Sequence, residues 1–203
     1  MPVIETTEMR WLSCARGYTL IELLLVLAIL AVLTGTAVPI TSDAIDAHRT
    51  LGATRYLAAR IGNARMDAIK RSTPVALRFE AGPGDYTYRC FVDGNRNGVR
   101  TADIRGGIDL PLGAAERLGD NFAGVRLELM AYAPDADGQP NTGTDGVRIG
   151  AARILTATPD GTATAGTLYV RGRNVQYAIR VLGTTGRVRV LQYHRGGRRW
   201  VNR

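Results

Sequence analysis

Residues 186–203 read GRVRVLQYHRGGRRWVNR, six arginines interleaved with Tyr193, His194 and Trp200. A guanidinium is a planar fork that grips a phosphate through two hydrogen bonds, and an aromatic ring stacks on an unpaired base. Repeated charges on a flexible tail release counterions from a nucleic-acid backbone, which gives salt-sensitive, sequence-blind binding. Arg187, Arg189, Arg195, Arg198 and Arg199 are therefore candidate DNA contacts. Two other uses of the same residues stand beside this one. The arginines would equally suit an anionic lipid or a partner subunit. Arg187 and Arg189 would also suit solvated strand positions alternating with buried Val188 and Val190.

The distribution of charge sharpens the first option. The chain has 203 residues and a formal net charge of +8, and all but one of its 26 basic residues are arginine. Residues 161–203 hold nine arginines and no Asp or Glu, whereas residues 1–160 are close to neutral. The excess charge thus lies in the last fifth of the chain.

A second stretch with candidate chemistry is DGNRNGVRTAD, which spaces Asp93, Asn95, Asn97 and Asp103 like the start of a calcium loop. Ile104 stands where such a loop wants a glutamate, and two carboxylates promise modest affinity. Asp-Gly and Asn-Gly turns explain the same residues without an ion. His48 and His194 lack metal-ligand spacing, and neither stands near a nucleophile motif. Cys90, beside Phe91 and Val92, reads as a packed thiol. Cys14 and Cys90 make no disulfide framework. No enzyme and no obligatory cofactor is expected.

A third feature is an acid at the head of an apolar run, RGYTLIELLLVLAILAVLTGTAVPI at 16–40. From Leu23 to Leu33 there is no polar side chain, and a helix from Tyr18 to Val38 would span about 30 Å, one hydrocarbon core. A plain anchor or secretory signal has no use for Glu22, since a charge inside a bilayer costs about 2.5–3.5 kcal/mol. The acid calls for a partner, for which a cation on another subunit is one candidate.

The motif resembles the class III signal of type IV pilins and type II secretion pseudopilins. The resemblance implies a leader of residues 1–17, cut by prepilin peptidase between Gly17 and Tyr18, with N-methylation of Tyr18, where Phe is the usual residue. It implies that Glu22 pairs with the terminal amine of a neighbouring subunit during assembly. It also places Pro39 where many pilin helices loosen. A start at Met9 would leave a shorter leader with Arg10 and Arg16 and without Glu5 and Glu8.

These residues need elements to position them. Residues 18–39 are expected as the transmembrane and assembly half of a first helix. Residues 40–73 are expected as its amphipathic half, with Leu57, Ile61, Ala64 and Ala68 on one face, Ser42 or Asp43 as a cap, and STP at 72–74 as the stop. Residues 74–203 alternate like an antiparallel β domain, with strands expected at 74–80, 86–92, 124–132, 147–156, 167–173, 175–182 and 186–193. APDADGQPNTGTDG at 133–146 reads as a mobile loop. The class is α+β.

Within the pilin class, AARIGNARMDAIKRSTPVALRF, DGNRNGVRTADI, ATPDGTATAGTLYV and GTTGRVRV resemble the GspH/FimT family of minor pilins and pseudopilins. Some members take up DNA through a Gly-Arg-x-Arg motif near the C-terminus, which Gly186–Arg189 match in type and location. The resemblance implies a single-pass protein of the bacterial inner membrane with a periplasmic domain, partnered by other subunits, prepilin peptidase and DNA. Its alternative implication is a pseudopilin acting as a structural adaptor at the tip of a type II secretion pseudopilus.

Overall fold

The computed structural model describes residues 17–203, without the side chains of residues 35–41. The expected leader, with Met9 and Cys14, lies outside the described residues except for Gly17. The described residues fall into two units, divided between Thr41 and Ser42.

Helix α1 (Leu20–Arg71) contributes to both units. In the first unit Thr19 begins the helix, and its Oγ1 accepts the Glu22 N–H at 3.3 Å. Thr19-x-x-Glu22 is thus a capping-box sequence, with an acid in the first turn where the helix dipole favours it. Leu23 to Leu27, Ile29, Leu30, Val32 and Leu33 are all exposed. Among the described residues no helix is long and apolar enough to cross a membrane. The span expected over 18–39 includes side chains outside the described residues. Helical conformation continues through Pro39.

In the second unit the helical stripe is as expected: Leu57, Ile61, Ala64 and Ala68 are buried, joined by Ala53. The cap expected at Ser42 or Asp43 is not a helix start, because the helix runs on. Asp43 instead accepts the Asn174 side-chain amide at 2.8 Å. Asp46 accepts the backbone N–H groups of Arg173 and Asn174, both at 2.9 Å.

Two antiparallel sheets follow. The first contains β1 (Val75–Ala81), β2 (Tyr86–Val92), β3 (Leu110–Arg117) and β6 (Ile154–Ala157), in the order β3-β2-β1-β6. The second contains β4 (Arg126–Leu127), β7 (Gly166–Arg171), β8 (Gln176–Val181), β9 (Val188–His194) and β10 (Arg199–Asn202), in the order β10-β9-β8-β7-β4. Strand β5 (Val147–Arg148) pairs with β7. Two short helices, α2 (Thr101–Arg105) and α3 (Leu118–Asn121), lie in the connections.

One core joins the helical stripe to Val75, Leu77 and Phe79 of the first sheet and to Leu168, Val170, Ile179 and Val181 of the second. Polar ties reinforce it. Glu116 on β3 pairs with Arg60 and accepts the Tyr56 hydroxyl at 2.7 Å.

The strand expectations are corrected in four places. Residues 124–132 yield only the two-residue β4. Residues 147–156 split into β5 and β6 in different sheets, because Gly150 and Arg153 adopt positive φ and turn the chain. Strand β3 was not expected: LPLGAAER is an exposed edge without apolar alternation. Strand β10 was expected as part of a tail. The loop at 133–146 is fastened rather than free, since Asp135 accepts the Tyr169 hydroxyl and pairs with Arg148 at 2.6 Å.

Candidate nucleic-acid interface

The basic end is built on two successive hairpins. Between β8 and β9 the Leu182 N–H donates to the Arg187 carbonyl at 2.9 Å, closing a turn over residues 183–186. Gly186 ends that turn at φ +58, and a Cβ there would lie 2.5 Å from the Gly161 carbonyl oxygen and 2.9 Å from Arg65 Nε. Arg65 Nε in turn donates to that same carbonyl at 3.0 Å. The glycine of Gly-Arg-x-Arg is therefore a docking residue that seats the hairpin against the helix. The two arginines after it are exposed, while Val188 and Val190 pack toward the core. Arg189 lies opposite Arg180 in the ladder, and Arg180 pairs with Asp137.

The second turn carries Arg195 and Arg198, with the Arg198 N–H donating to the Arg195 carbonyl at 3.3 Å. Arg198 holds φ +47, a left-handed conformation that costs a non-glycine residue about 1–2 kcal/mol. Strand β10 then pairs Arg199 with His194 and Trp200 with Tyr193. The segment beyond the expected strand at 186–193 is thus the second half of an ordered edge hairpin. Its anchor is Trp200, which packs on Tyr193 (5.3 Å between centroids) and Tyr169 (5.8 Å) and donates to the Pro134 carbonyl at 3.0 Å.

That anchoring changes the chemistry on offer. Tyr193 is only 7% exposed, and Trp200 is half-buried, so both rings serve the small core on the outer face of the second sheet. Neither presents a stacking face of the kind expected. An exposed ring near this edge is Tyr132, 44% accessible, which lies beneath the Arg195 guanidinium at 4.3 Å from the ring centroid. Arg195 also donates to its hydroxyl at 2.7 Å. Nothing local in the sequence links two residues so far apart in the chain. Only the fold brings them together.

The five expected arginines do not form one patch. Arg187 and Arg189 lie at one end of β9 and Arg195, Arg198 and Arg199 at the other, about 20 Å away along an extended strand. What they share is freedom from acids. Among the described residues Arg126, Arg148, Arg153, Arg171 and Arg180 all pair with carboxylates. Arg187, Arg189, Arg195, Arg198 and Arg199 pair with none. The edge is an exposed, uncompensated positive rail.

The candidate calcium loop is held by its own hydrogen bonds. The buried Asp93 carboxylate accepts the N–H groups of Asn95, Arg96 and Gly98 at 3.1, 2.8 and 2.6 Å. Asn95 donates to Asp103 at 3.4 Å, and the Asn97 N–H donates to Asn95 at 3.3 Å. Buried Asp109, which the sequence reading missed, accepts from Gly94 and Arg100 at 3.0 and 2.9 Å. Among the described residues no group of three His, Cys, Asp or Glu side chains is placed to hold a metal ion. Cys90 is half-buried in β2, where burial pushes its thiol up to about 11. Gly17 and Tyr18 precede the helix, and Tyr18 is exposed.

Comparison with known proteins bears on the N-terminal segment. Residues 12–38 match the family model described as the prokaryotic N-terminal methylation motif. Over 86 residues, 40% of this chain, it is 46% identical to the pilin-like protein PilA1 of Thermus thermophilus, and the match spans 51% of that protein's length. The chain thus covers about half of the curated relative it matches. No solved structure matches the chain.

Proposed function

We propose that this chain is a type IV pilin-like protein with a membrane-anchored precursor, a minor pilus subunit that captures DNA along its basic β9–β10 edge. In this account prepilin peptidase cuts between Gly17 and Tyr18, Tyr18 is N-methylated, and Glu22 meets the terminal amine of a neighbouring subunit. The precursor crosses the inner membrane once, with the β domain on the periplasmic side. The observation that carries the DNA assignment is the set of arginines without carboxylate partners on β9, its turn and β10, in a sheet whose other strand arginines pair with carboxylates.

The mode of capture follows from which groups are free. Guanidinium groups reach phosphates, whereas most of the aromatic surface is committed to packing, so binding is by backbone charge and indifferent to base identity. Strand β9 offers contacts about 20 Å apart, roughly six base steps of duplex. A pseudopilin adaptor of type II secretion would share the helix but would have no need of the rail.

The test is genetic. In a strain lacking this chain, restoration with Arg187→Ala/Arg189→Ala should leave pili and protein secretion intact and cut DNA uptake at least about tenfold. Full uptake with the variant, or loss of secretion rather than uptake in the deletion strain, would replace this reading with the secretion adaptor.

A further inference from the structure

At the opposite end of β7 from its pairing with β5, a second arginine cluster surrounds an open cavity of about 450 Å³. Its lining includes Arg49 of the helix, Arg126 of β4, Arg171 of β7 and Arg173 of the β7–β8 turn, together with Asp46 and Ile45. We propose that this cavity is an oxyanion site that takes the phosphate of an anionic phospholipid headgroup. The inference rests on the reading that the apolar N-terminal segment anchors the chain in a membrane.

The site is positioned by groups already satisfied. Gly172 presses so closely on Thr50 and Asp46 that a Cβ would have no room. The Asp46 carboxylate holds the N–H groups of Arg173 and Asn174, which fixes the backbone from which the Arg173 side chain projects. Arg126 and Arg171 are direct partners across the β4–β7 ladder and share one carboxylate, Glu128, at 3.3 and 2.6 Å. Two guanidinium groups on one acid leave a surplus positive charge. Arg49 donates to the Ala123 carbonyl at 3.2 Å and, among the described residues, pairs with no acid. Neither does Arg173. Four guanidinium groups thus face Asp46 and Glu128, and two of the four are free to chelate an anion.

Two features favour a lipid over a nucleic acid. The arginines line one cavity, which takes a single compact headgroup rather than the spaced phosphates of a duplex. Ile45, 49% exposed, stands at its edge as an apolar neighbour for glycerol and acyl carbons. Ser42 and Ile45 also follow the apolar segment closely in the sequence.

The experiment uses the full chain in neutral detergent micelles doped with phosphatidylglycerol, phosphatidylcholine or inorganic phosphate, with retained lipid read by native mass spectrometry. The expected result is selective retention of phosphatidylglycerol, weakened at least about tenfold in Arg49→Gln/Arg173→Gln and unchanged in Arg187→Gln/Arg189→Gln. Arg173→Ala alone, which removes a side chain bonded to no described group, should weaken it in the same direction with an unchanged melting temperature. Equal retention by wild type and the Arg49/Arg173 variant would overturn the proposal. Binding of inorganic phosphate without preference for the lipid would make it a free-anion site, and loss of duplex DNA binding in that variant would make it part of the nucleic-acid surface. Either result would also overturn it. Because micelles replace the membrane, failure here leaves the anchor reading intact.

Discussion

Single residues here carry double duties that mutagenesis must separate. Gly186 belongs to the Gly-Arg-x-Arg motif, yet its contribution is steric: it has positive φ and stands against the Gly161 carbonyl and Arg65. Gly186→Ala should lower stability by about 1–3 kcal/mol, read as a depressed melting temperature. A melting curve identical to wild type would contradict the docking role. Glu22 is similar. It sits third after the capping Thr19, so part of its value is local, and a capping box accepts Gln as well as Glu. Glu22→Gln should therefore keep helix content in circular dichroism while abolishing incorporation into filaments. Normal incorporation would show that the charge has no assembly role. The apolar run and the acid were legible as chemistry in the sequence. The capping contribution is equally readable in Thr19-x-x-Glu22.

At the scale of elements, the helix and the central strands were readable because their periodicity is strong. Leu57, Ile61, Ala64 and Ala68 recur at helical spacing, and VQYAIRVL alternates cleanly. The missed elements lack such a signal. Strand β3 has no buried residue, and β10 consists of four residues whose only large apolar anchors are Trp200 and Val201. The 133–146 loop misled because its Gly, Pro and Asp content describes turns and says nothing of long-range ties. The segment leading into that loop is tied by buried Gln176, whose Oε1 accepts the Met130 N–H at 2.8 Å while its Nε2 donates to the Glu128 and Val170 carbonyls at 3.1 and 3.0 Å. Gln176→Leu leaves the Met130 N–H without its partner and should cost about 1–3 kcal/mol in urea denaturation. Protection of the 129–146 amides in hydrogen exchange should fall with it. Unchanged protection would mean that the loop is held without Gln176.

For the whole molecule, charge organises both stability and function. Burial works against ionisation of Asp135 and Asp145. Hydrogen bonds from Tyr169 and the Ala136 N–H, or from Tyr86 and the Val147 N–H, outweigh it together with Arg148 and Arg153, so both carboxyls lie below their ordinary range. A depressed folded value means that their stabilisation is complete above the unfolded carboxyl pKa of about 3.9 and is lost as pH falls below it. The melting temperature should drop steeply under about pH 4, and Asp135→Asn should flatten that limb while lowering stability at neutral pH. An acid limb of wild-type steepness in the variant would remove Asp135 from the account. The acid-free arginines of the β9–β10 edge, by contrast, contribute no such pairing and remain available to a polyanion. That availability was half-visible in the charge count of residues 161–203, but which arginines were spent on carboxylates emerged only with the fold. The most direct measurement is duplex binding by residues 42–203, a unit with its own core, across a salt series beside Arg187→Ala/Arg189→Ala. The account predicts a linear fall of log affinity with log salt whose slope is shallower by about two in the double variant. Identical slopes, or no binding at low salt, would contradict it.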